Sequence, residues 1–167
     1  PLRDIFPYID AMNIDIKAFN EDFYKGLISG RLSPVKETVE EAQAQCHIEI
    51  TTLIIPGMND SDEEIQTLAQ WLSSLRKDMP LHLTRYFPNY KLDIPPTPIE
   101  KIRKARDIAM KHLDYVYTGN IMDENGNNTY CPVCGKLIIK RTGYQTKLEV
   151  KDNICRNCGG FISLVEG

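Results

Sequence analysis

The chain has 167 residues, 42% hydrophobic and 26% charged, a composition that can bury a core and that excludes intrinsic disorder. A formal net charge of -3 with a pI near 5.6 supplies no field for nucleic acid or anionic lipid. No apolar run has the length to cross a bilayer, so neither nucleic acid nor membrane is expected as a partner and the cytoplasm is the expected compartment.

The chain starts at Pro1-Leu2-Arg3-Asp4, without Met and without a targeting pattern, and Ile5 to Ile9 already reads as ordered, half-buried sequence, as expected for a piece of something longer. Residues 11 to 17 alternate apolar and polar, which predicts a strand feeding a crossover. Ser33-Pro34 predicts a helix with the hydroxyl as N-cap; Val35, Val39, Ala42 and Cys46 share one face, so Cys46 is read as a small buried hydrophobe. A strand over His47 to Ile55 ends at Pro56-Gly57. A helix follows, opened by a capping box of Ser61 and Glu64, with Ile65, Leu68, Ala69, Leu72 and Leu75 inside. A strand over Leu81 to Phe87 leads through a proline-rich loop to a second capping box, Thr97-Pro98-Ile99-Glu100. The helix behind it faces inward through Ile102, Ala105, Ala109 and Leu113, and a short strand spans Tyr115 to Thr118.

This βα repeat predicts a parallel sheet with right-handed crossovers over residues 1–120. Four strands do not close a barrel, so the α/β pattern fits an open sheet or the C-terminal half of a (β/α) barrel, and the start in mid-element favours the half barrel.

Residues 121–167 differ in character. Cys131-Pro132-Val133-Cys134-Gly135 and Cys155-Arg156-Asn157-Cys158-Gly159 are matched two-cysteine turns whose four thiolates make a tetrahedral metal cage, as in a zinc ribbon or a rubredoxin-like iron site. A redox-silent zinc ion suffices to fold so small a module, whereas two disulfides would need an oxidising compartment. Two hairpin-like runs, Leu137 to Lys140 and Leu148 to Val150, complete a ribbon too small to fold on apolar burial alone. Residues 125–167 hold six Lys/Arg against three Asp/Glu, a local +3 that leaves -6 elsewhere and is read as a solvated surface.

In parallel α/β folds, ligands bind at the carboxyl ends of strands. Asn13, Asp15 and Lys17 share a face where a packed interior would want Val or Ile, which marks a binding position or an internal Asp–Lys ion pair. Glu49 with Thr51, and His82 with Thr84 and Tyr86, share faces of the next strands. The lone histidines His47, His82 and His112 have no evident nucleophile partner and are read as structural.

Asp15-Ile16-Lys17, Leu53-Ile54-Ile55-Pro56-Gly57-Met58-Asn59-Asp60 and Leu81-His82-Leu83-Thr84-Arg85-Tyr86-Phe87-Pro88 together resemble the second half of radical S-adenosylmethionine proteins related to pyruvate formate-lyase activating enzyme. Within that family the chain is most similar to the AmmeMemoRadiSam system branch, which carries a four-cysteine tail. The resemblance implies S-adenosylmethionine and a [4Fe-4S] cluster as cofactors, generation of a deoxyadenosyl radical that abstracts hydrogen from a substrate, and Asp15 and Lys17 lining the S-adenosylmethionine site. It also implies Memo-like and AMMECR-like proteins as partners. The family's Cys-x-x-x-Cys-x-x-Cys triplet is absent here, since Cys46 stands alone, so this chain is not expected to hold that cluster or be active by itself. The other expectation is a non-catalytic zinc-ribbon adaptor on an α/β scaffold.

Overall fold

The computed structural model describes residues 2–143 and 145–164. They form two compact units, Pro1–Ile121 and Met122–Gly167. The first is a four-stranded sheet in the order β1 (Ala11–Asp15), β2 (His47–Ile54), β3 (Leu81–Arg85), β4 (Val116–Gly119), with every pair parallel. Three longer helices make the crossovers: α3 (Leu32–Ala42), α4 (Asp62–Leu75) and α5 (Ile99–Ala109). A short α1 (Leu2–Ile5) precedes β1; α2 (Glu21–Phe23) runs on into a π-helical turn, Tyr24–Ile28.

Side chains alternate across a strand, and in β2 every second residue is buried: Ile48, Ile50, Thr52 and Ile54. With Ile14, Leu81, Leu83 and Val116 they pack on Val39, Ala42, Ile65, Leu68, Leu72, Ile102 and Ala109 of the helices. Fully burying each such aliphatic side chain contributes about 1.5–3 kcal/mol, which fixes this face against the helices. The opposite face carries Asn13, Asp15, Glu49, Thr51, His82, Thr84 and Tyr117, none of them fully buried. Purely parallel sheets are ordinarily covered on both sides, so a polar face left open is the unusual feature of this unit.

The first three strands end one or two residues before the expected exits, β4 runs one residue past its own, to Gly119, and β1 stops at Asp15, leaving Lys17 in the segment beyond it. Two expected caps are corrected. Arg31, not Ser33, holds the N-cap of α3, which begins at Leu32 and has no side-chain cap. Thr97 does not cap α5: its hydroxyl donates to the Ile54 carbonyl at 2.6 Å and accepts from Tyr86 N–H at 3.2 Å, tying the helix entrance to the sheet. Ser61 does cap α4, accepting from Glu64 N–H, but the Glu64 carboxylate turns away to accept from Phe19 N–H (2.6 Å) and the Asn20 amide (2.8 Å). Cys46 lies just past α3, part-buried, its thiol 3.7 Å from the Ala42 carbonyl; burial raises its pKa.

The second unit has a short helix α6 (Glu124–Asn127), an antiparallel sheet of β5 (Thr129–Tyr130), β6 (Leu137–Thr142) and β7 (Gln145–Leu148), and a ladder of β8 (Val150–Lys151) with β9 (Ile154–Cys155). Its core is small: Cys131, Ile138, Ile139, Val150, Cys155 and Ile162. No helix among the described residues is long and apolar enough to cross a membrane.

Among the described residues, the hydroxyls of Thr52 and Thr118 are buried without a hydrogen-bond partner. They flank Leu83 in register on the helix-facing side. A buried polar group without a partner costs about 1–3 kcal/mol. Thr52→Val is therefore expected to raise the urea midpoint by an amount equivalent to about 1 kcal/mol; a lowered midpoint would contradict this account of the site.

Candidate functional site

Two places gather polar chemistry. On the sheet, Asp15 and Lys17 of the β1 exit are brought together: the Lys17 ammonium donates to Asp15 Oδ2, and both side chains are about half exposed, at 46% and 48%. The ion pair weighed from sequence is thus present, at the open carboxyl end of the strand and not sealed in the interior. The backbone beneath it is held firmly. Asn59, 1% exposed, donates through Nδ2 to the carbonyls of Lys17 (2.7 Å) and Leu53 (2.8 Å) and accepts at Oδ1 from Ile55 N–H (2.7 Å). One amide thereby locks the exits of β1 and β2 together, while Tyr24 Oη accepts from Lys17 N–H at 3.1 Å. Burial raises the Tyr24 pKa, keeping that phenol neutral.

Deeper on the same face, Glu49 accepts from two imidazoles. His82 Nε2 lies 2.8 Å from Oε2 and His47 Nε2 lies 3.5 Å from Oε1. The His82 contact holds the Glu49 carboxyl below the usual range; partial burial opposes it, and His47 adds to it. His82 also stacks on Tyr117 at 5.2 Å between ring centroids. His47 and His82 thus have a partner in Glu49: His47 from two residues away on the same strand, and His82 by a diagonal that the β2–β3 register creates and that sequence did not reveal. His112 is only half-buried and joins neither place.

The second place is the cysteine cage. Cys131, Cys134, Cys155 and Cys158 bring their sulfurs within 4.8 Å of one another. The Cys131–Cys158 and Cys134–Cys155 separations are 3.7 and 3.8 Å. A tetrahedron with metal–sulfur bonds of about 2.3 Å has sulfur–sulfur edges of about 3.8 Å, whereas a disulfide needs about 2.05 Å. The four sulfurs therefore fit a metal ion such as zinc or iron, and all are free thiols.

Local backbone explains the convergence. Each turn closes with a matching bond, Gly135 N–H to Cys131 C=O at 2.9 Å and Gly159 N–H to Cys155 C=O at 2.8 Å. Gly135 and Gly159 have φ of +70° and +73°, a left-handed conformation in which a Cβ is strained. Cys131 and Cys155 are buried and Cys134 and Cys158 exposed, so the two turns are alike in burial as well as in path. The N–H of Lys136 and the Asn157 amide hold the Cys134 thiol down to about 6. The N–H groups of Asn157 and Cys158 lower Cys155. At Cys158 the Gly160 N–H favours the thiolate, but the surrounding sulfurs and burial push it up to about 12. Negative sulfurs packed so closely repel each other until a cation neutralises them.

No family model matches the chain. It is 43% identical over 164 residues to the uncharacterized protein MJ0808 of Methanocaldococcus jannaschii, an alignment covering 94% of this chain and 49% of that protein. The chain thus spans about half the length of the curated relative it matches.

Two outcomes follow from this geometry. Asn59→Ala strands two carbonyls and an N–H and is expected to cost about 3 kcal/mol in urea unfolding; a loss under about 0.5 kcal/mol would show that the clamp is not needed. Cys155→Ser is expected to abolish metal binding and the amide dispersion of residues 122–164 in NMR spectra while residues 2–121 keep theirs. Retained dispersion in the metal-free variant would contradict a metal-dependent ribbon.

Proposed function

We propose that this chain is the C-terminal part of a radical S-adenosylmethionine enzyme, with residues 1–120 forming part of its (β/α) barrel and the cysteine ribbon carrying zinc. The observation that carries this reading is the open polar face of an all-parallel sheet, with Asp15 and Lys17 side by side at a carboxyl end. A barrel turns such a face inward over a ligand, which gives its polar groups a partner. The doubled length of the relative supports it, because a barrel of this kind needs more strands than these four.

S-adenosylmethionine suits the pair chemically: its methionyl ammonium complements the Asp15 carboxylate and its carboxylate complements the Lys17 ammonium, so the ligand exchanges one ion pair for two. The exchange is inexpensive, since a half-exposed pair is worth only about 0–1 kcal/mol. When bound beside a [4Fe-4S] cluster, S-adenosylmethionine supplies the deoxyadenosyl radical. The residues of this chain do not fit the cluster itself, having no cysteine triplet outside the ribbon, and their contribution is to bind and orient the nucleoside and to exclude water. Memo-like and AMMECR-like proteins remain the partners that the resemblance proposes, and the cytoplasm the compartment. For the ribbon, zinc is favoured over iron because a redox-silent ion suffices for a module with so small a core.

Titration calorimetry with S-adenosylmethionine tests the reading on the longer protein that the reading implies. Asp15→Asn and Lys17→Ala are each expected to weaken binding about tenfold, about 1.4 kcal/mol. Unchanged affinity in both variants, or no binding by the parent protein, would favour the zinc-ribbon adaptor, in which these side chains have no ligand.

A further inference from the structure

His82 lies two strands, about 10 Å, from Asp15 along the register row Asp15, Thr51, His82, Tyr117, so the ring that Glu49 holds is a place of its own on the open face. Its geometry has the form of an oriented base. Nε2 of His82 is committed to Glu49 at 2.8 Å, the ring is fixed by stacking on Tyr117, and Nδ1 makes no hydrogen bond among the described residues. The His82 side chain is 31% exposed and the Glu49 side chain 39%, which leaves the imidazole reachable from the open face. We propose that His82, oriented by Glu49 and stacked on Tyr117, is a proton-accepting side chain for a hydroxyl or amine of a ligand bound over this face.

The transfer is simple to balance. The ligand's O–H or N–H proton passes to Nδ1, the bonding pair stays on the ligand oxygen or nitrogen, and the imidazolium keeps its Nε2–H donated to the Glu49 carboxylate. A carboxylate behind an imidazole fixes the tautomer and stabilises the cation that forms. Among the described residues, the charged and titratable groups that share the face are Glu49 and His47 on β2, Asp15 and Lys17 at the β1 exit, and the Tyr117 phenol on β4. Asp15 and Lys17 neutralise each other. His47 approaches only the other oxygen of Glu49, at 3.5 Å. Glu49 is therefore the group expected to set the behaviour of His82. The inference goes beyond the S-adenosylmethionine reading and does not need it.

Pulsed modification with diethyl pyrocarbonate, mapped by peptide mass, distinguishes a reactive base from an inert brace between strands. His82 is expected to be modified at pH 8 through its uncommitted Nδ1. On the unaltered protein, nitrogen NMR of labelled histidine is expected to show the neutral Nε2–H tautomer for His82, a result that needs no variant to fold. An unmodified His82 at pH 8 or an Nδ1–H tautomer would each overturn the proposal. Failure of S-adenosylmethionine to bind would leave it standing, and its own failure would leave the Asp15–Lys17 site untouched.

Discussion

Apolar burial in the larger unit runs in one direction only. Alternate residues of β1 to β4 drive into the three crossover helices, while the residues between them, Asn13, Asp15, Glu49, Thr51, His82 and Tyr117, stay at an open polar surface. A parallel sheet cannot be rearranged to hide that surface, because a one-residue shift of register would turn Ile48, Ile50 and Ile54 to water and bring Glu49 and Thr51 into the core. Everything chemical in this unit follows from the asymmetry: the hydrophobic side fixes the strands, and the fixed strands hold a carboxylate, an ammonium, a carboxylate–imidazole pair and a phenol in one plane of positions.

The precision of those positions comes from buried polar clamps placed away from the face itself. Asn59 binds the β1 and β2 exits, and Thr97 ties the α5 entrance to both Ile54 and Tyr86. Each substitutes a side-chain partner for a backbone partner that the end of a strand has lost. In the ribbon, where the core is only a handful of side chains, two like turns bring four sulfurs to the spacing that fits a metal ion.

Much of this was legible in the order of residues. The alternation from His47 to Ile54, the apolar stripe of α4 and the paired Cys-x-x-Cys-Gly turns carry their structures openly, because each depends on neighbours within a few residues. Caps were less legible. Thr97 has the spacing of a capping residue, yet its hydroxyl bonds across the chain to Ile54, a partner 43 residues away. Glu64 likewise follows a capping serine but spends its carboxylate on Phe19 and Asn20. The Glu49–His82 pair was hidden for the same reason: it arises from the β2–β3 register, and no local pattern announces a contact between residues 33 positions apart. Asn59 stands two residues past Pro56-Gly57 with nothing local to mark it, and its burial and its three bonds show that it is a junction.

The central claim is that β1 is a seam inside a larger barrel and not a natural edge. Ile16 N–H bonds to Thr51 of β2, so by strand alternation the amides of Asn13 and Asp15 point away from β2. Hydrogen exchange at those amides, followed in the 167-residue chain and at the aligned positions of the full-length Methanocaldococcus jannaschii relative, tests the claim directly. The account predicts rapid exchange in the chain and protection of at least a hundredfold, about 2.7 kcal/mol, in the longer protein. Equally rapid exchange in both would contradict it.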